Sequence, residues 1–294
     1  MRSALELAPR DPNLLAATAA AELQAGYLDE ALAHARGGGN TAVAQALIGD
    51  IEEKRGRYLE AARAYQSAVA LAPASEQYRI ALALELVEHH TFEPAITVLE
   101  QAAPLFPRSA RIRTLLGVAY YAEQHLEQAE AALVEAVAID PSLEPAHRYL
   151  VQVALESAAA PSPGAVAAAC AWNAVACSAL KSRAARESGD SALLAEAVAG
   201  LKRAPPDSAI ARCELGRNYQ AGGQWTEARP ELEACVRLDP SPQNHYRLGM
   251  VYNKLGLPDQ AHRQMELRSA AAARLANEVA RRESTVQAFQ YVLK

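Results

Sequence analysis

The chain has 294 residues, 51% of them apolar and only 5% aromatic, with 29 basic and 34 acidic side chains and a formal net charge of −5. Alanine dominates the apolar share, which suits closely packed helices, and the charge gives no sign of a nucleic-acid-binding protein. No run of 18 apolar residues lacks charges, so nothing in the sequence spans a membrane. Charge is unevenly placed: residues 1–160 carry a net −9 and residues 161–294 a net +4.

Pro73, Pro107 and Pro141 stand 34 residues apart, and Pro206 and Pro240 repeat the interval. Ala61, Ala95 and Ala129 keep the same beat, as do Ala68, Ala102 and Ala136. A fixed period of this length means one helical hairpin copied and stacked, because a lone hairpin cannot bury its own apolar face. In chain order, Met1 to Pro9 matches the tail of a second helix, so the chain is expected to open in mid-unit as part of a longer array. Repeat starts follow near Pro12, Ala42, Glu76, Ala110, Glu144, Val175, Ala209 and Pro242. Six of the eight residues just before them (Asp11, Thr41, Ser75, Ser109, Ser208 and Ser241) are good N-caps. Leu143 and Ala174 are the exceptions.

The first helix of a unit carries an apolar residue, a small one and an aromatic, as in Leu116-Gly117 with Tyr120 and Leu215-Gly216 with Tyr219. A turn such as Gly56-Arg57-Tyr58 follows, then a second helix pairing Ala61 with Tyr65 or Ala228 with Leu232, one amphipathic face at i, i+4 spacing. With these LGxxY segments and the Ala61, Ala68, Pro73 series, the chain resembles the tetratricopeptide repeat family over nearly its whole length. The resemblance implies an all-α, right-handed α-solenoid of stacked helix-turn-helix hairpins. Where that family often has Trp, this sequence has Gln45, Arg79, Arg113, His147, Arg212 and His245, which suggests a more polar rim on the first helices.

The expected organisation is a truncated-repeat tail at 1–11, an N-terminal array at 12–158, and an irregular helical region at 159–208. A repeat pair at 209–268 and a capping helix at 269–294 complete it. Gly37-Gly38-Gly39 ends the second helix of a short first unit, as a flexible joint or a tight corner. Residues 164–188 form one long helix or, as favoured here, two helices broken near Asn173, with Trp172 read as core. Val279, Phe289 and Val292 offer a face for a partner helix, and Ser284-Thr285 a start for a separate one.

Cys170, Cys177, Cys213 and Cys235 show no metal-ligand spacing. Cys170 and Cys177 on one helix would lie ~10 Å apart, too far for a disulfide, while Cys235, at the place of Ala68, Ala102 and Ala136, reads as a small buried residue; the set favours a reducing compartment. No nucleotide loop, nucleophile elbow or HExxH occurs, and the histidines are scattered. No catalytic residue, metal ligand or cofactor is expected, and the chain is read as not an enzyme.

The inner wall remains. The resemblance implies that each first helix lines a concave groove, here with an acidic mouth at Asp50 and Glu53. Apolar anchors follow at Ile80, Leu84, Val87, Val118 and Tyr121, then a polar and basic stretch at Arg148, Gln152, Arg183, Arg186, Arg217, Gln220 and Asn253. The groove would bind an extended peptide or helix, with acidic partner groups toward the C-terminal half. The residues by which family members hold chaperone tails are not matched at Ala179 with Arg183, Glu214, and Gln243 with Arg247. The expected function is a non-catalytic protein-interaction scaffold in the cytoplasm. The alternatives are a partner-recruiting segment of a larger enzyme, such as a glycosyltransferase, or a periplasmic assembly factor.

Overall fold

The structure is a computed structural model that describes residues 10–290, with side chains as far as Asn277. Met1 to Pro9 and Val292 therefore lie outside the described residues, as do the side chains of Val279 and Phe289. Among the described residues there are sixteen helices and no strand. They fall into two compact units that meet in sequence between His125 and Leu126.

The first unit holds α1 (Pro12–Ala25), α2 (Leu28–Gly37), α3 (Ala42–Lys54), α4 (Tyr58–Leu71), α5 (Glu76–Glu88), α6 (Phe92–Ala102) and α7 (Ala110–Ala122). The second begins with α8 (Leu126–Ile139), α9 (Glu144–Glu156), α10 (Pro163–Trp172), α11 (Ala174–Ser188) and α12 (Ser191–Lys202). It continues through α13 (Ala209–Ala221), α14 (Trp225–Leu238), α15 (Pro242–Lys254) and α16 (Pro258–Gln290) as far as Arg281. Within each unit, successive helices pack as antiparallel hairpins stacked on one another, an all-α solenoid.

Starts follow the capping chemistry. Asp11, Thr41, Ser75, Ser109, Ser208 and Ser241 each accept a hydrogen bond from a first-turn N–H, each worth about 1 kcal/mol to its helix. Leu143 makes no side-chain cap. The irregular unit begins one residue earlier than the spacing predicts, because Asn173 accepts from the N–H groups of Val175 and Ala176.

The alanine series are the seam of the stack: Ala61, Ala68, Ala95, Ala102, Ala129 and Ala136 are fully buried, and Cys235 takes the equivalent place in α14. Glycine serves the same purpose where a helix meets a large residue. A Cβ on Gly49 would lie 2.5 Å from the Tyr65 ring, and one on Gly216 would lie 2.5 Å from Leu232. The triple glycine is a tight corner: α2 stops at Gly37, Gly38 stays right-handed and Gly39 turns at φ 77°.

Three expectations need correction. Residues 164–188 are two helices, as favoured above, and the break at Asn173 (φ −152°, ψ 131°) folds α10 back beside α11. Cys170 and Cys177 are thereby 4.2 Å apart at Cα and form a disulfide; the one-helix spacing that excluded it does not exist. Cys213 and Cys235 form a second disulfide between α13 and α14, so Cys235 is buried as expected but is not a free thiol. The polar residues at the bulky-residue position do not all face solvent either. Arg79 and His147 are buried, and the side-chain N–H groups of Arg79, His147 and Arg212 reach the carbonyls of Pro73, Pro141 and Pro206. Each ties its helix to the repeat proline six residues upstream.

α16 runs without interruption from Pro258 to Gln290, through Ser284 and Thr285. Ala261 and Ala271 are buried, whereas the side chains of residues 272–277 are exposed.

Candidate binding surface

In the first unit, Leu84, Val118 and Tyr121 are half-buried, whereas Ile80 is only 5% exposed and belongs to the core. Asp50 and Glu53 converge on one hydroxyl, since Tyr65 Oη donates to Asp50 at 2.8 Å and approaches Glu53 at 3.3 Å. Burial raises the Asp50 carboxyl above its ordinary value, against the lowering effect of the tyrosine hydrogen bond. Glu85, buried on α5, is pushed up to about 7, first by desolvation and then by Glu53 and Glu88. The acidic residues of this unit are thus close enough to repel one another.

In the second unit, α9 and α13 frame a cavity of about 520 Å³. Arg148, Gln152 and Leu155 contribute from α9, and Ile210, Glu214 and Arg217 from α13. Trp172 closes part of the wall, stacked on His147 with ring centroids 5.2 Å apart; it is a lining residue as well as a packing one, unlike the core position expected of it. The structure therefore brings Arg148, Gln152 and Arg217 together. Gln220 and Asn253 do not line the cavity, and Asn253 is exposed on α15.

Arg183 is turned elsewhere. Its guanidinium donates to the carbonyls of Leu155, Ser157 and Ala159, stapling the loop between α9 and α10. The side chain at the centre of the basic wall is Glu214, which is 1% exposed. It accepts from Arg186 at 2.8 Å and from Arg217 at 2.6 Å. Arg186 also donates to Ser182 and Asn218, both buried. Arg247 of α15 comes within electrostatic reach of Arg217, Glu214, Arg186 and Arg183. Desolvation, then the Arg217 charge, lowers it to about 10. Sequence reading missed Trp172 and Ile210, which carry no periodic signal. It had a signal for the arginines, because Arg183 and Arg217 stand one repeat period apart.

Two models of the tetratricopeptide repeat match the sequence, at residues 86–153 and 213–274. Together with the stacked hairpins and their buried alanine seam, these matches decide the family. The chain is a tetratricopeptide-repeat protein. No curated protein has a matching sequence. Among solved structures it is similar to the C-terminal part of a TPR repeat-containing protein from Cytophaga hutchinsonii, at 15% identity and TM-score 0.54, over 81% of this chain and 88% of that one. PilF of Pseudomonas aeruginosa is similar at 18% identity and TM-score 0.47, over 72% of this chain and 97% of that one. MamA from Desulfovibrio magneticus is similar at 24% identity and TM-score 0.45, over 49% and 84% respectively. At these identities the likeness concerns fold alone. Tetratricopeptide-repeat proteins are generally non-catalytic scaffolds for protein partners, which supports that coarse reading here. Among the described residues, no helix is long and apolar enough to cross a membrane.

Proposed function

We propose that this tetratricopeptide-repeat protein is a non-catalytic scaffold whose second unit holds an acidic peptide segment of a partner. One observation carries the reading: Arg148 and Arg217 stand at a 520 Å³ cavity that also exposes Leu155, Ile210 and Trp172. An apolar side chain fills such a cavity, and adjacent carboxylates meet planar guanidinium forks. In the first unit, taken by itself, Leu84, Val118 and Tyr121 offer half-buried apolar anchors for a partner segment.

Arg148 is the residue to test. Its ion pair with Glu144 is long, at 3.9 Å, and both side chains are exposed, so it contributes little to folding. Arg217 is unsuitable for charge reversal, because it holds buried Glu214. Labelled peptides with Leu or Phe flanked by Asp and Glu are titrated against wild type and Arg148→Glu, with the lysine counterparts as control. The expected result is selective binding of the acidic peptides, weakened about tenfold by reversal of this charge. Equal binding of both peptide sets, or an unchanged variant, contradicts the proposal.

The two disulfides favour one of the alternative settings. Such bonds persist in oxidising compartments and are rare in the cytosol, so Cys170–Cys177 and Cys213–Cys235 support an assembly scaffold acting in an oxidising compartment over the cytoplasmic setting.

A further inference from the structure

The second unit holds more positive charge around Glu214 than its own fold compensates. Arg183 and Arg186 come from α11, Arg217 from α13 and Arg247 from α15, and the one carboxylate at their centre belongs to Glu214. Glu187 also acts on Arg183 from its own helix, so two positive charges remain uncompensated. The carbonyls that receive Arg183 orient it without neutralising it.

Arg247 is the exceptional member. It is half-buried, and among the described residues it has neither a hydrogen-bond nor an ion-pair partner. A partly desolvated guanidinium beside three others is costly to keep, and it remains charged at neutral pH. Removing it would relieve repulsion without breaking a hydrogen bond or ion pair among the described residues. Its presence makes physical sense where an anion completes the set.

From this arrangement we infer that Arg183, Arg186, Arg217 and Arg247 around Glu214 form a site for a tetrahedral dianionic oxyanion: inorganic phosphate or a phosphate monoester. Geometry favours this class over a single carboxylate. Arg183 and Arg186 are committed to the loop carbonyls and to Glu214 and supply charge, while Arg217 and Arg247 come from different helices, so an anion with oxygens in several directions can meet both. A phosphoryl group presents three oxygens in different directions, and its two negative charges match the excess. Glu214 and Arg217 also line the cavity, so the group carrying the phosphate has room beside Leu155, Ile210 and Trp172. This inference rests on the proposed peptide reading only in taking the basic wall as ligand-facing, and it names the anionic group that wall would prefer.

The test titrates inorganic phosphate and, separately, O-phosphoserine into the whole chain by calorimetry, at constant ionic strength set with chloride. Wild type is compared with Arg247→Gln, Arg247→Lys and Arg63→Gln, the last an exposed arginine of the first unit. Circular dichroism checks that each variant is folded. One saturable site is expected in wild type and in Arg63→Gln, about tenfold weaker in Arg247→Gln, as the loss of one charge-assisted contact implies. Arg247→Lys falls between, since it keeps the charge and loses the fork. The inference is overturned where phosphate gives no saturable signal beyond chloride, or where Arg247→Gln binds it as wild type does. Phosphate binding without acidic-peptide binding would remove the peptide reading alone. Peptide binding with phosphate affinity indifferent to Arg247 would remove the phosphate site alone.

Discussion

Replacing Glu214 by Gln keeps the shape of the side chain and removes the carboxylate that Arg186 and Arg217 share. Both contacts are short, 2.8 and 2.6 Å, and Glu214 is 1% exposed. Solvent screening therefore offers little relief. Breaking a buried pair by removing one partner costs about 3–5 kcal/mol, because the other charges stay buried and uncompensated. Here they also face Arg183 and Arg247, so the upper part of that range applies. In a unit of this size each kcal/mol lowers the melting temperature by about 2–4 °C, and about 10 °C or more is expected in total. The assay is unusually local, since the chain has two tryptophans, Trp172 and Trp225, and both lie in the second unit. Tryptophan fluorescence thus follows this unit alone during thermal unfolding. A Glu214→Gln protein melting within about 1 °C of wild type, against the several degrees that buried pairs imply, would refute the view that the arginines are organised by this carboxylate.

Three further expectations bear on the fold. Reduction with dithiothreitol should lower the tryptophan-monitored melting temperature, the 22-residue Cys213–Cys235 loop alone contributing about 3 kcal/mol by loop-closure entropy; unchanged melting speaks against both disulfides. Gly216→Ala places a methyl 2.5 Å from Leu232 and should destabilise the second unit by about 1–3 kcal/mol, whereas a neutral result means that α13 and α14 do not pack this closely. Glu85, ordinarily near 4.5, stands at about 7 in the folded chain, so the folded state binds its proton more tightly than the unfolded state does. Its contribution favours folding at low pH and is lost as pH rises from 4.5 through about 7. The lowered His89 acts in the opposite sense, so the informative comparison is wild type against Glu85→Gln in melts from pH 5 to pH 8. The difference between the two should shrink toward acid, and a pH-independent difference contradicts the assignment.

The repeat was legible because it is enforced sterically. Only a small residue fits at Ala61, Ala95 or Gly216, and the caps at Thr41, Ser75 and Ser208 mark where backbone N–H groups lack partners, so residue type and spacing carry the information directly. What depends on a side chain's direction was not legible. Arg183 and Arg217 occupy equivalent places one period apart, yet one staples a loop and the other binds Glu214. The irregular loop at Ser157–Ala159 supplies carbonyls near only one of them. The Cys170–Cys177 bond hinged on whether the helix breaks at Asn173, and an Asx cap inside an apolar run is a weak signal. Arg79, His147 and Arg212 were misjudged as a polar rim, although their constant offset of six from the repeat proline was available to suggest a backbone partner.

The scaffold reading is tested most directly by hydrogen exchange of the whole chain with and without a saturating acidic peptide. Slowed exchange confined mainly to α9 and α13, around Arg148–Leu155 and Ile210–Arg217, is the predicted result. Saturation of the peptide with protection elsewhere, and none along these two helices, would contradict it.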